Sequence, residues 1–232
     1  MKIIIETKEN IAKLASEQFI DLLKRKPTAV LGLATGSTPI DTYKQIILKA
    51  KEQGVSFKDV KTFNLDEYVK YPFYEASYRF FMDDNLFNHV DINKENTHFP
   101  SEDNYLSYDN DIKAAGGVDL QILGIGANGH IGFNEPGTEF TSFTHITDLQ
   151  EKTIQDNARF FSSIEEVPTK AITMGLQTIM NSKSIILIAL GSNKADAIKA
   201  LVDNVGVSCP ASILNSHPDV TIYCDKDAAS KL

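Results

Sequence analysis

The sequence predicts an α/β protein: a single doubly wound, mostly parallel sheet with helices on both faces, Rossmann-like in architecture. Three observations carry this. Short strand-like runs alternate with helical patterns along most of the chain, the arrangement that builds parallel sheets. Ala29–Ala34 is apolar on consecutive positions, as expected of a strand covered on both faces, and Val118–Leu123 and Ile185–Leu190 read as further buried strands. No repeat or low-complexity linker interrupts the 232 residues, so one domain is expected.

Taken in order, Lys2–Ile5 is short and β-branched and reads as a strand. Lys8–Arg25 places Ile11, Leu14, Ala15, Phe19, Leu22 and Leu23 at helical spacing. The strand Ala29–Ala34 leads into a helix over Pro39–Gln53, and Val60–Asn64 is the next strand. Tyr78–Phe87 forms a helix with an aromatic face, and Val118–Leu123 is a further buried strand. Pro168–Met180 has a helical pattern, Ile185–Leu190 is a strand, Lys194–Val202 a helix and Val220–Cys224 a last strand.

Composition narrows the function. Hydrophobic residues make up 42% of the chain, enough for a sizeable core and too many for disorder. The formal net charge is −8, with the acids dispersed, which argues against nucleic-acid binding. The N-terminal apolar run is too short for a signal peptide, and no run approaches the ~20 residues of a membrane span. Cys209 and Cys224 form no C-x-x-C pair or Cys/His cluster and read as buried or idle thiols in a reducing cytoplasm.

In doubly wound sheets ligands sit outside the carboxyl ends of the strands. Four motifs follow strands. Thr35-Gly36-Ser37-Thr38-Pro39 offers free amides, two hydroxyls and a helix start, a nest for an anion such as phosphate; a plain Ser/Thr helix cap is the simpler alternative. Gly191-Ser192-Asn193-Lys194 puts Lys194 in the first turn of a helix capped by Ser192 or Asn193. A cation there opposes the macrodipole unless an anion occupies the helix end. Asn64-Leu65-Asp66-Glu67-Tyr68 sets two acids at the end of a buried strand, where desolvation would raise one of them toward general-base use. Leu123 to Pro136 contains Gly124, Gly126, Gly129 and Gly132 around Asn128, His130, Asn134 and Glu135. His130 can exchange a proton near neutral pH, oriented by Asn128 or Glu135.

The first three of those glycines spell G-x-G-x-x-G. The dinucleotide fingerprint needs a helix to open at the third Gly, which Gly132 and Pro136 prevent. No His spacing suits a metal, so neither nucleotide cofactor nor metal is expected. A phosphate clamp, a carboxylate base and a His point to cofactor-free proton transfer on a sugar phosphate, as in an isomerase or lactonase.

The segments Ala34–Pro39 (A-T-G-S-T-P), Thr62–Tyr68 (T-F-N-L-D-E-Y) and Gly124–Pro136 (G-I-G-A-N-G-H-I-G-F-N-E-P) resemble the glucosamine-6-phosphate deaminase family, from near the N-terminus to about Val205. Related 6-phosphogluconolactonases share fold and glycine-rich loop but not the F-N-E-P continuation. The resemblance implies conversion of glucosamine 6-phosphate and water to fructose 6-phosphate and ammonia, in amino sugar catabolism. It makes Asp66 the general base at C2, His130 the ring-opening residue and Glu135 its supporting acid. Gly36, Ser37, Thr38, Lys194 and Arg159 become phosphate ligands. The polar stretch at about 138–166, which carries Arg159, resembles a mobile lid.

Two departures stand out. Asn128 occupies a position where many members carry Asp; an amide can hold the imidazole but adds no charge, so activity with a shifted pH optimum is expected. Thr138 to Asp148 contains no Lys or Arg, and the sequence has no extension beyond Leu232. Activation by N-acetylglucosamine 6-phosphate, seen in longer hexameric members, is therefore not expected, and a monomer is admissible. The rival readings are a 6-phosphogluconolactonase and a non-catalytic sugar-phosphate sensor, which would have no need of Asp66 and His130 together.

Overall fold

The computed structural model describes residues 1–158, 161–203 and 205–232, apart from the side chains of Lys152 and Asp156. In chain order the elements are β1 (Lys2–Ile5), α1 (Lys8–Arg25), β2 (Val30–Leu33), α2 (Ile40–Gln53), β3 (Lys61–Asn64), β4 (Asp66–Tyr68), α3 (Tyr78–Asn85), β5 (Thr97–His98), α4 (Tyr105–Ala114) and β6 (Leu120–Leu123). They continue with β7 (His145–Asp148), α5 (Glu151–Asn157), β8 (Lys170–Thr173), α6 (Leu176–Met180), β9 (Ile185–Ala189), α7 (Ala195–Asp203) and β10 (Val220–Cys224).

Seven strands form one sheet in the order β1-β10-β9-β6-β2-β3-β5, and every pairing in it is parallel. The apolar runs of β2 and β9 explain its centre: both are buried at every residue, as is β6 between them, which also buries the polar Gln121, whereas edge strand β1 is not. The helices that flank the sheet start and stop on local chemistry. Thr7 accepts from the Asn10 amide to cap α1, and Gly54, at φ +63°, ends α2 in the left-handed region.

From β2 the chain moves outward through β3 to β5, then returns to the other side of β2 with β6. The winding therefore reverses between β2 and β6, which opens a crevice at their carboxyl ends. Strands β9, β6, β2 and β3 are consecutive neighbours across that point, and each carries one of the four motifs.

A second sheet, antiparallel in the order β4-β8-β7, stands beside the first. It corrects the helix expected over Pro168–Met180. Lys170–Thr173 is a strand that pairs with β4 and β7, and only Leu176–Met180 is helical. Strand pairing overrides the helical pattern, and Gly175 divides the two elements: a side chain there would lie 2.2 Å from the Ser142 carbonyl oxygen. The aromatic helix is also shorter than expected, ending at Asn85 before a 3-10 turn over Phe87–His89. Both cysteines are free and buried. No helix among the described residues is long and apolar enough to cross a membrane.

Candidate active site

A cleft of about 250 Å³ opens at the reversal of the sheet. Asp66, His130, Gly36, Ser37, Thr38 and Lys194 all line it, so the structure brings together residues that are up to 158 positions apart in the chain. Arg159 lies outside the described residues.

The anion-nest candidate begins where β2 ends. Tyr43, buried on α2, donates its hydroxyl to the Ala34 carbonyl at 2.6 Å and accepts from the Ala34 amide at 3.2 Å, which pins the start of the loop. Gly36 then takes φ +86°, a conformation that a side chain disfavours. Among the described residues no acceptor takes the amides of Gly36, Ser37 or Thr38. Pro39 stands just before α2, not at its first residue. Just beyond β9, Gly191, at φ +89°, donates its amide to Asp225. Ser192–Lys194 forms a 3-10 turn that precedes α7, so Lys194 precedes that helix instead of lying in its first turn, and no side-chain cap closes the turn.

Strand geometry separates the two acids. Alternate residues of a strand point to opposite faces, and β4 begins at Asp66. Asp66 lines the cleft and is 7% exposed. Burial pushes its carboxyl up to about 8, with a smaller push from Glu67. Glu67 points away. Its Oε1 accepts from the amides of Tyr68 and Tyr78 at 2.9 Å each, and its Oε2 from the Arg79 amide at 3.0 Å. It thus closes the first turn of α3, which Ser77 also caps. Burial raises the Glu67 carboxyl, and those amides and the Arg79 charge work against it.

The glycine-rich loop after β6 presents His130. Gly126 lies beneath the ring: a Cβ there would be 2.3 Å from Cε1. Gly132, at φ +58°, packs most closely on Thr173, with its notional Cβ 2.8 Å from Oγ1, and lies at ordinary contact distance, 3.6 Å, from Asp66 Oδ2. Below the loop, Asn134 donates to the carbonyls of Ile131 and Met174, which ties the turn to the end of β8.

Glu135 is held on both oxygens. Asn128 Nδ2 donates to Oε2 at 2.7 Å and Thr153 Oγ1 to Oε1 at 2.7 Å. His130 Nδ1 lies 3.3 Å from Oε2, in ionic range but off the line of a hydrogen bond. The His130 amide donates to Asn128 Oδ1 at 3.3 Å. Burial alone would raise the Glu135 carboxyl; His130, then Thr153 and Asn128, outweigh it and hold it at about 2.

Sequence reasoning missed three residues of the cleft wall: Tyr78, Thr153 and Asn157. Thr153 and Asn157 are one helical turn apart, a spacing that puts both on one face of α5. That pattern is in the sequence, but α5 has only seven residues, too few to signal a helix. Tyr78 packs on Tyr68 with ring centroids 4.7 Å apart, and burial drives its phenol far above the ordinary range.

Chemically the cleft offers a desolvated carboxylate, an imidazole backed by an anion and a row of free amides beside a lysine. Such a set suits proton transfer on a phosphorylated substrate.

Comparison with known proteins agrees. The family model for glucosamine-6-phosphate isomerases/6-phosphogluconolactonase matches residues 6–223. A glucosamine-6-phosphate deaminase of Mycoplasma mycoides subsp. mycoides is 52% identical over 235 aligned residues, covering 99% of this chain and 96% of that protein. A monomeric glucosamine-6-phosphate deaminase of known structure superposes with a TM-score of 0.96 at 44% identity over the whole of both chains. A 6-phosphogluconolactonase from Leishmania guyanensis, 16% identical, reaches a TM-score of 0.79 over 100% of this chain and 98% of its own, a likeness of fold.

Proposed function

The chain belongs to the glucosamine-6-phosphate isomerase/6-phosphogluconolactonase family, and from that premise we propose that it is a glucosamine-6-phosphate deaminase. It takes glucosamine 6-phosphate and water to fructose 6-phosphate and ammonia. The observation that carries the reading is the cleft shared by Asp66, His130 and the amides of Gly36 to Thr38.

The phosphate binds the amides and hydroxyls of Gly36, Ser37 and Thr38 with Lys194 beside them, and Arg159 supplies a second cation from the 138–166 segment acting as a lid. His130, supported by Glu135 and Asn128, moves a proton between the sugar's O1 hydroxyl and ring oxygen, which opens the pyranose to the aldehyde. Asp66 removes the proton at C2; the electron pair moves toward C1 while its oxygen takes a proton from the sugar's ammonium group, giving an enolamine. Return of a proton to C1 leaves a C2 iminium. Water adds at C2, and the C–N bond breaks to release ammonia and leave the ketone. Bond cleavage by water makes the overall step a hydrolase reaction. An Asp raised to about 8 is a stronger base toward C2 than an exposed carboxylate.

No cofactor is assigned, and a cytoplasmic monomer acting on amino sugars fits this reading. The test is ammonia release from glucosamine 6-phosphate by the protein without added metal or nucleotide. Stoichiometric ammonia and fructose 6-phosphate support the proposal. Hydrolysis of 6-phosphogluconolactone with no ammonia from the amino sugar would identify a lactonase, and binding without turnover a sensor.

A further inference from the structure

We propose that Thr153 is a positioning residue: from α5 it fixes the Glu135 carboxylate and thereby sets where the His130–Glu135 pair takes up its proton. The catalytic use of that pair rests on the deaminase reading; the contact stands on geometry.

A carboxylate's terminal torsion is soft, so two donors are needed to hold its plane. Asn128 holds Oε2 and Thr153 holds Oε1. Oε2 is also the oxygen 3.3 Å from His130 Nδ1. With Oε1 anchored from the opposite side, Oε2 stays against the ring. Thr153 is 8% exposed, so water has little access to replace its hydroxyl.

The helix that carries Thr153 is itself held in place. One turn on, Asn157 Nδ2 donates to the Tyr68 hydroxyl at 2.9 Å. Tyr68 is buried against Tyr78, Phe133 and Phe161. Thus α5 is docked at two polar points, one on the glycine-rich loop and one on β4. The groups that act on the Glu135 carboxylate are His130 and Asn128 from the loop and Thr153 from α5, and His130 is the titratable one among them. Removing the Thr153 hydroxyl leaves more negative charge facing the ring, so the pair should bind its proton more tightly.

The experiment compares Thr153→Val, which keeps the shape and loses the hydroxyl, with Thr153→Ser, which restores it. The midpoint of the pair is read from the ring ¹⁵N resonances of His130 without substrate. In Thr153→Val it should rise by about one pH unit, the size of one hydrogen bond to a charged group. Its kcat should fall roughly 10-fold with KM within about 2-fold, because the lost interaction acts on the chemical step. Thr153→Ser should return both values to wild type. A Thr153→Val protein with wild-type midpoint and kcat would overturn the proposal. Thr153→Ala gives the same comparison if the valine protein fails to fold. Because the resonance measurement uses no substrate, a wild-type protein that releases no ammonia would refute the deaminase reading and leave this test intact.

Discussion

Asp66 and Glu67 are neighbours in the chain, yet their carboxyl groups serve opposite sides of β4. Asp66 faces the cleft, while Glu67 accepts three backbone amides at the start of α3. Strand alternation alone turns one acid to the cleft and the other to the start of α3.

Glu67→Ala should therefore act on stability. It strands the amides of Tyr68, Tyr78 and Arg79 in a buried setting, which costs about 3 kcal/mol. Thermal or urea denaturation should show a clear loss. Unchanged stability would mean that water or another acceptor replaces Glu67.

Asp66 makes the opposite prediction. Its carboxyl is raised to about 8 in the folded protein, above the ordinary ~3.9 of an unfolded chain. Between those values the folded state binds the extra proton, so this group's contribution to stability is full below about pH 4 and disappears as pH rises through about 8. Asp66→Asn removes the titration. The variant should melt several degrees above wild type at pH 9 and by a much smaller margin at pH 5. An equal difference at both values would show that Asp66 is not titrating with folding.

Gly126→Ala should damage activity more than folding. Its Cβ would lie 2.3 to 2.5 Å from three atoms of the His130 ring, and a side chain yields more readily than backbone. Displacing a proton-transfer group should cost at least about 10-fold in kcat with little change in melting temperature. A fully active Gly126→Ala protein would remove His130 from the proposed ring-opening role.

Asn128 already donates to Glu135. In Asn128→Asp a second carboxylate meets that oxygen, and like charges disfavour joint ionisation. The pair should then hold its proton to higher pH, and the acidic side of the kcat profile should move up while activity is retained. An unmoved acidic side would show that the amide is not what sets the profile.

Much of this was legible in the sequence because the central strands β2 and β9 are continuous apolar runs and the motifs follow the strands directly. Ala34–Pro39, Asp66, His130 and Lys194 meet because four adjacent strands end at one crevice, which the alternation of elements implies. The second sheet was not legible. Its strands β4, β7 and β8 have three or four residues each, and they exist through pairing with one another, a relation that local pattern does not record. Thr153 and Asn157 were missed for the same reason: their importance lies in the partners Glu135 and Tyr68, 18 and 89 positions away. Local pattern alone could not choose between Asp66 and Glu67; the family resemblance pointed to Asp66, and β4 supplies the physical reason by giving each residue a side.

The central claim is that Asp66 removes the C2 proton inside the cleft. It is tested most directly by the turnover of Asp66→Asn at saturating glucosamine 6-phosphate, measured as ammonia beside wild type. A fall of about 10³-fold with sugar-phosphate binding intact is the predicted result, whereas turnover within a few-fold of wild type would contradict the account.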